Sequence, residues 1–425
     1  MKILPFTLDQ LETITALHPT PFHIYDRAGI IRTVRELQAA FAWNEGFKEY
    51  FAVKALPNLA IVQLLRSLGC GADCASTPEL MLSEAAGMFG SDIMFSSNDT
   101  PLCEFAHAAA LDAIINLDDI RHIELLDQLP VFPKTVCCRY NPGSDFSMTN
   151  DIMGHLHDTK FGMTRTQIIE AMTMLKSKGV ERFGIHAMVA SATLDNTYYP
   201  QLAENMFALA LEIREKTGVE ISFLNLSGGI GIPYCPDEQP VDIHAVGAAV
   251  REVYERMITP SGLSIALFTE LGRYITGPHG YLVTRVRHIK ETYKTYVGLD
   301  ACAANLMRPA MYGSYHHITV PGKEEAAATM VCDVTGSLCE NNDKFAIDRP
   351  LPPVAEGDLV VIHDTGAHGH SMGYNYNGKL RSAELMLMED GSIRCIRRAE
   401  TAMDLFATFD CLEDFDTLQE IAHRV

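Results

Sequence analysis

No stretch of this chain approaches the uninterrupted apolar run that a membrane-spanning helix needs. The opening residues, Met1-Lys2-Ile3-Leu4-Pro5, lack the apolar core and cleavage site of a secretory signal. Cys-x-x-Cys pairs are absent, so a structural zinc site is not expected, and no metal is assigned to the site. Positive charge is scarce: 34 Lys and Arg stand against 54 Asp and Glu, a net charge of -20. That balance argues against nucleic acid and anionic membrane as partners. Eleven cysteines occur at irregular spacings. An odd, scattered set reads as reduced thiols in a cytoplasmic protein. Apolar residues make up 47% of 425, enough for a large core. The length implies two domains, or one large barrel with an accessory domain.

From about residue 30 to 280, short apolar runs alternate with amphipathic stretches. The predicted strands are Tyr50–Lys54, Gly71–Ala75, Ile93–Ser96, Ala113–Leu117, Thr135–Tyr140, Gly184–Val189, Phe223–Leu226 and Ile265–Glu270. Between them lie helical patterns such as Ala60–Leu68, Pro78–Ala86, Arg165–Lys176, Gln201–Glu215 and Ile243–Met257. Repeated alternation means parallel strands with crossover helices. About eight units in about 250 residues is what a (β/α)8 TIM barrel requires, with a doubly wound open sheet as the competing architecture. The barrel is placed at 28–278. After Gly280 helices become rare. Tyr281–His288, Thr292–Val297, Met330–Val334, Asp358–His363, Leu380–Met388 and Ile393–Arg397 read as strands, and Glu389-Asp390-Gly391-Ser392 as a hairpin turn. A second, C-terminal antiparallel β domain is therefore expected over 279–425, with 1–27 contributing a strand at Pro21–Tyr25. Asn141–Gly162 reads as a long loop of the kind that is often functional, with disorder as the alternative.

A barrel places its chemistry at the C-terminal ends of the strands. Polar residues stand there in nearly every strand: Lys54, Asp73, Ser96 with Asn98, Asn116, Arg139, His186, Ser227 and Glu270. Lys54 ends an apolar run, Phe51-Ala52-Val53. A lysine there is either paired, neutral or covalently used as a Schiff base, or it snorkels into water. In Leu226-Ser227-Gly228-Gly229-Ile230-Gly231-Ile232-Pro233-Tyr234, glycines let backbone amides approach an anion, as in the phosphate sites of barrels; a plain tight turn is the alternative. Glu270-Leu271-Gly272-Arg273 ends the last barrel strand. Gly272 and Arg273 suit the same phosphate and Glu270 suits a cofactor ring, unless Glu270 and Arg273 simply pair. Cys339-Glu340 lies in a polar turn. Its thiol is either a proton donor or a packed hydrophobe.

These motifs occur in a fixed order together with Glu79, Lys160-Phe161-Gly162, Arg308-Pro309-Ala310-Met311-Tyr312, Gly366-Ala367, Ser371-Met372 and Asn375-Tyr376-Asn377. Together they resemble the pyridoxal phosphate (PLP)-dependent decarboxylases of the alanine-racemase-like fold, fold type III, and diaminopimelate decarboxylase above all. The resemblance implies that Lys54 carries PLP as a Schiff base, that His186 stacks on its ring and that Glu270 pairs with its pyridine nitrogen. Gly228, Gly229, Gly272, Arg273 and Tyr376 would hold or flank the phosphate, and Asp73, Glu79 and Arg139 would support the cofactor. Arg273, Arg308 and Tyr312 would contact the substrate's distal carboxylate, and Tyr376 would border the substrate. Cys339 would protonate the carbanion and Glu340 bind the distal ammonium, both from the neighbouring subunit of a homodimer with shared active sites. The implied reaction converts meso-2,6-diaminopimelate to L-lysine and CO2. The alternatives are another basic amino acid (D-ornithine, D-lysine or L-ornithine), a carboxylated polyamine, or a catalytically silent regulator of the same fold. The chain departs from the family pattern at Met188-Val189 after the stacking histidine, at Ser227 in place of a first glycine, at His368, and at Cys302-Ala303-Ala304-Asn305.

Overall fold

The structure is a computed structural model that describes residues 2–143, 146, 158–409, 418 and 421. The chain divides into two compact units. One comprises Ile31–Pro233 and Gln239–Ile275, the other Met1–Ile30, Tyr234–Glu238 and Thr276–Val425.

The first unit is a closed barrel of parallel strands: β2 (Lys48–Ala52), β3 (Gly71–Cys74), β4 (Ile93–Ser97), β5 (Ile114–Leu117), β6 (Thr135–Arg139), β7 (Arg182–His186), β8 (Ile221–Asn225) and β9 (Ala266–Thr269). Closure through the β2–β9 pair rules out the open doubly wound sheet. Strand side chains alternate between faces, so each strand gives one set of positions to the lumen. Tyr50, Met94, Ile114, Cys137, Phe223 and Phe268 fill it as an apolar plug. Gly184 makes room for this plug, because a Cβ there would stand 2.0 Å from the Phe223 ring. Crossover helices such as Arg165–Ser177 and Ile243–Met257 open on Thr164 and Asp242, whose side chains accept from backbone amides of the first turn.

The second unit is a mixed sheet built from β1 (Phe22–Asp26), β10 (Gly280–Glu291), β11 (Thr295–Leu299), β12 (Ile318–Thr319), β13 (Met330–Thr335), β14 (Lys344–Leu351), β15 (Leu359–Ile362), β16 (Ala383–Leu387) and β17 (Ile393–Arg397). Its main path runs β14-β13-β11-β10-β1-β16-β17. The N-terminal strand is thus internal, with Phe22 and Ile24 in one apolar cluster with Val283, Val361 and Leu385. A second cluster gathers Leu282, Val297, Leu299, Val334, Phe345 and Ile362. Most pairs are antiparallel, as expected, but β1–β16 and β11–β13 are parallel. The β16–β17 hairpin turns where expected: the Ser392 amide and hydroxyl both donate to Asp390, and Gly391 takes φ +81.

Two further differences have physical causes. Lys54 is not part of a buried strand. β2 ends at Ala52, and Val53–Ala55 form a 3-10 turn whose flanking residues are buried while Lys54 itself is exposed. β14 is not among the expected strands; it carries Asp348-Arg349-Pro350, a run of turn-favouring residues. Asp348 does adopt φ +48, yet the strand continues, its pairing to β13 shifted in register. Most of the Asn141–Gly162 loop lies outside the described residues. Among the described residues no helix is long and apolar enough to cross a membrane.

Candidate active site

The barrel rim follows from strand periodicity. Two residues beyond five of the six plug positions, at the C-terminal ends, stand Ser96, Asn116, Arg139, Asn225 and Glu270; Asp73 and His186 follow Gly71 and Gly184 in the same way. Lys54 lies two residues past Ala52. One layer of apolar side chains is thus topped by a layer of polar ones.

Glu270 is buried at the centre of this layer. Its Oε1 accepts from Asn225 Nδ2 at 2.7 Å. Its Oε2 accepts from the Ser227 hydroxyl at 2.8 Å and from His186 Nε2 at 3.1 Å. Burial opposes the charge, but His186, Ser227 and the Lys54 ammonium outweigh it and hold the carboxyl below its ordinary range. Asp73 shifts the other way: burial first, then the Glu270 charge, push it well up, against the pull of Lys54. Its Oδ1 has no hydrogen-bond partner, and the same holds for Nδ1 of His186. Glu79 is raised by burial, while the Ala75 amide, donating at 2.7 Å, and Lys54 draw it back. Lys54 thus acts electrically on Asp73, Glu79 and Glu270 at once. Arg139 donates to Asp118 at 3.3 Å, and its guanidinium lies 4.4 Å from the Phe161 ring centroid.

The glycine segment leaves β8 directly. Gly229 has φ +107, and a Cβ there would meet Tyr198 at 2.6 Å. A Cβ at Gly228 would stand 2.8 Å from the Glu270 carbonyl. Gly229 accepts from the Thr193 amide at 2.9 Å, which ties the loop to the segment after β7. Gly272 and Arg273 open the short helix Gly272–Thr276 that follows Glu270.

The remaining expected residues lie in the sheet unit. Arg308 is buried in the helix Arg308–Tyr312, its guanidinium 5.2 Å from the Tyr234 ring centroid and donating to Ser314 at 3.3 Å. Tyr312 is exposed. Cys339 is exposed too, which removes the packed-hydrophobe reading. The Tyr376 hydroxyl donates to Glu340 Oε1 at 3.0 Å, and the Cys339 amide to Asn377 Oδ1 at 2.8 Å. Asn342 donates to the Ala310 carbonyl at 3.3 Å. The Cys339-Glu340 loop is therefore tied both to the Tyr376 turn and to the Arg308 helix. A cavity of about 340 Å³ lies among Ala303, Met307, Ala310, Met311, Leu338 and Glu340.

Residues 27–277 match the family model described as pyridoxal-dependent decarboxylase, pyridoxal binding domain. The chain belongs to the pyridoxal-dependent decarboxylases. It is accordingly a carboxy-lyase with pyridoxal 5'-phosphate as cofactor. Protein TabA of Pseudomonas amygdali pv. tabaci is 43% identical over 397 residues, 93% of this chain and 92% of that protein. Diaminopimelate decarboxylase of Methanothermobacter thermautotrophicus is 34% identical over 388 residues, 91% of this chain and 90% of that protein. The crystal structure of diaminopimelate decarboxylase from M. jannaschii in co-complex with L-lysine superposes with a TM-score of 0.86, at 29% identity and 94% coverage of each chain.

Two residues of this pyridoxal-dependent decarboxylase escaped the sequence reading as site components: Asn225, which bonds Glu270, and Asp118, which pairs with Arg139. A signal for both existed. Asn225 stands two positions after Phe223, and Asp118 two after Asn116, so strict alternation puts both on the lumen face. Ser227 was expected among the strand-end polar residues, but its bond to Glu270 was not, because its side chain is aimed by a left-handed turn rather than by a strand.

Proposed function

We propose that this chain decarboxylates meso-2,6-diaminopimelate to L-lysine and CO2, working as a homodimer. The observation that carries the substrate assignment is Arg308, a buried guanidinium held against Tyr234 and Ser314. A buried, oriented arginine suits a carboxylate, and the tethered Glu340 suits an ammonium. Diaminopimelate offers both at its far end. The 34% identity to a protein named diaminopimelate decarboxylase supports the same reading.

The barrel rim fits the cofactor. A protonated pyridine nitrogen needs a carboxylate that stays ionised while buried, and Glu270 is such a group. In this reading Lys54 attaches the cofactor, His186 covers its ring, and Gly228, Gly229, Gly272, Arg273 and Tyr376 receive its phosphate, with Asp73 supporting Lys54's end of the rim. Bound there, the cofactor supplies the electron sink for decarboxylation. Glu270 keeps the proton on the ring nitrogen. Arg273, Arg308 and Tyr312 orient the distal carboxylate, Glu340 holds the distal ammonium, and Cys339 Sγ delivers the proton that replaces CO2. Cys339 and Glu340 act on the cofactor of the partner protomer. The ten described cysteines are all free thiols, which suits a reducing compartment such as the cytoplasm.

The relative at 43% identity carries no substrate in its name, so the test is a panel: meso-diaminopimelate, D-lysine, L-lysine, D-ornithine, L-ornithine and a carboxylated polyamine. A buried arginine left without its carboxylate costs on the order of a few kcal/mol, so diaminopimelate should lead in kcat/KM by about a hundredfold or more. Arg308→Ala should narrow that lead mainly by harming diaminopimelate. Equal turnover of D-lysine or an ornithine would remove the substrate assignment and leave the decarboxylase standing.

A further inference from the structure

Ser227 sits at φ +56, a region that glycine enters freely and other residues avoid. Backbone need alone would be met by a third glycine before Gly228 and Gly229. The side chain has a use instead. Its hydroxyl donates to Glu270 Oε2 at 2.8 Å, its amide donates to Asn225 Oδ1 at 2.7 Å, and Asn225 Nδ2 donates to Glu270 Oε1 at 2.7 Å. These bonds close a ring that grips both carboxylate oxygens. The Ser227 carbonyl is pinned from elsewhere, accepting from the Tyr199 hydroxyl at 2.6 Å and from the Glu270 amide at 2.8 Å. Met188 Sδ lies 3.2 Å from the same hydroxyl. With one proton to give, the hydroxyl favours the charged carboxylate over the thioether. All three members of the ring are buried. Backbone strain that survives because its surroundings fix it tends to mark a functional position.

We propose that Ser227 is a positioning residue whose hydroxyl, with Asn225, fixes the Glu270 carboxylate in the single orientation that meets the cofactor's ring nitrogen. The proposal rests on the assignment of Glu270 to that nitrogen. A purely structural serine and a positioning serine make opposite predictions for glycine. Ser227→Gly removes the hydroxyl and relieves the left-handed conformation, whereas Ser227→Ala removes the hydroxyl and keeps the conformation. Melting temperature should follow the backbone, with the glycine variant at or above the alanine variant. Function should follow the hydroxyl. In both variants the Kd for pyridoxal phosphate, read by absorbance titration, should rise about tenfold, the loss of a hydrogen bond to a charged group. In both, kcat should fall with KM little changed. In the cofactor-free protein the carboxylate infrared band of Glu270, isolated as a difference against Glu270→Gln, should shift in both. A Ser227→Gly protein with wild-type Kd, kcat and carboxylate band would overturn the proposal. If Glu270→Gln binds pyridoxal phosphate and turns over substrate like the wild type, the underlying assignment of Glu270 fails instead, and the infrared band still decides whether Ser227 controls Glu270.

Discussion

Val53 and Ala55 are buried on either side of Lys54, so the 3-10 turn leaves the Lys54 side chain exposed, where its charge acts on Asp73, Glu79 and Glu270. Lys54→Ala should abolish the visible absorbance of the bound cofactor and nearly all turnover, while the barrel stays folded by circular dichroism. Mass spectrometry of borohydride-reduced protein that found the cofactor on a different lysine would overturn the assignment. At this scale the sequence was readable wherever a polar residue ended an apolar run, as with Lys54, His186 and Glu270. It misled on burial, because a strand was extended through Lys54 when the chain had already turned. Ser227 was read as a strand-end polar residue, but its bond to Glu270 was not, for a related reason. Where its hydroxyl points depends on a left-handed backbone angle, and residue order alone does not encode that angle.

Among elements, the β2–β9 junction closes the barrel and also carries Glu270. Glu49 of β2 is buried there, accepting from the Thr269 hydroxyl at 2.5 Å and the Leu271 amide at 2.7 Å, the two residues flanking Glu270. Burial raises its carboxyl to about 8, despite those two bonds. A carboxyl raised in the folded state stabilises the fold fully below its unfolded value near 4.5, and that stability is lost as pH rises through about 8. Glu49→Gln stays neutral throughout. Its stability relative to wild type should therefore climb between these values, by at most about 1.4 kcal/mol per pH unit, and level off above them. Parallel urea titrations of the two proteins across that range test this, and a difference flat in pH would refute it. All eight barrel strands were legible, since parallel strands covered on both faces read as continuous apolar runs. β14 was not, because Pro350 and the left-handed Asp348 are turn-forming residues kept inside a strand by pairing to β13.

For the whole molecule, the proposed homodimer makes a quantitative demand. If Cys339 serves the partner's Lys54, mixing inactive Lys54→Ala and Cys339→Ala protomers should restore up to about a quarter of wild-type activity under random exchange, since each mixed dimer keeps one intact site. No recovery despite demonstrated exchange would refute shared sites. The internal place of β1 has a consequence in time. Tyr25 bonds Glu384 across 359 residues, and β1 lies between β10 and β16. β1 is made before the barrel strands and has no complete sheet to join until β16 has followed, on the order of tens of seconds later at ordinary translation rates. The barrel strands come out consecutively and can close in the meantime. A nascent chain stalled before residue 380 should therefore carry a protease-resistant barrel and a cleavable Phe22–Asp26 segment, an apolar strand left without its β16 partner.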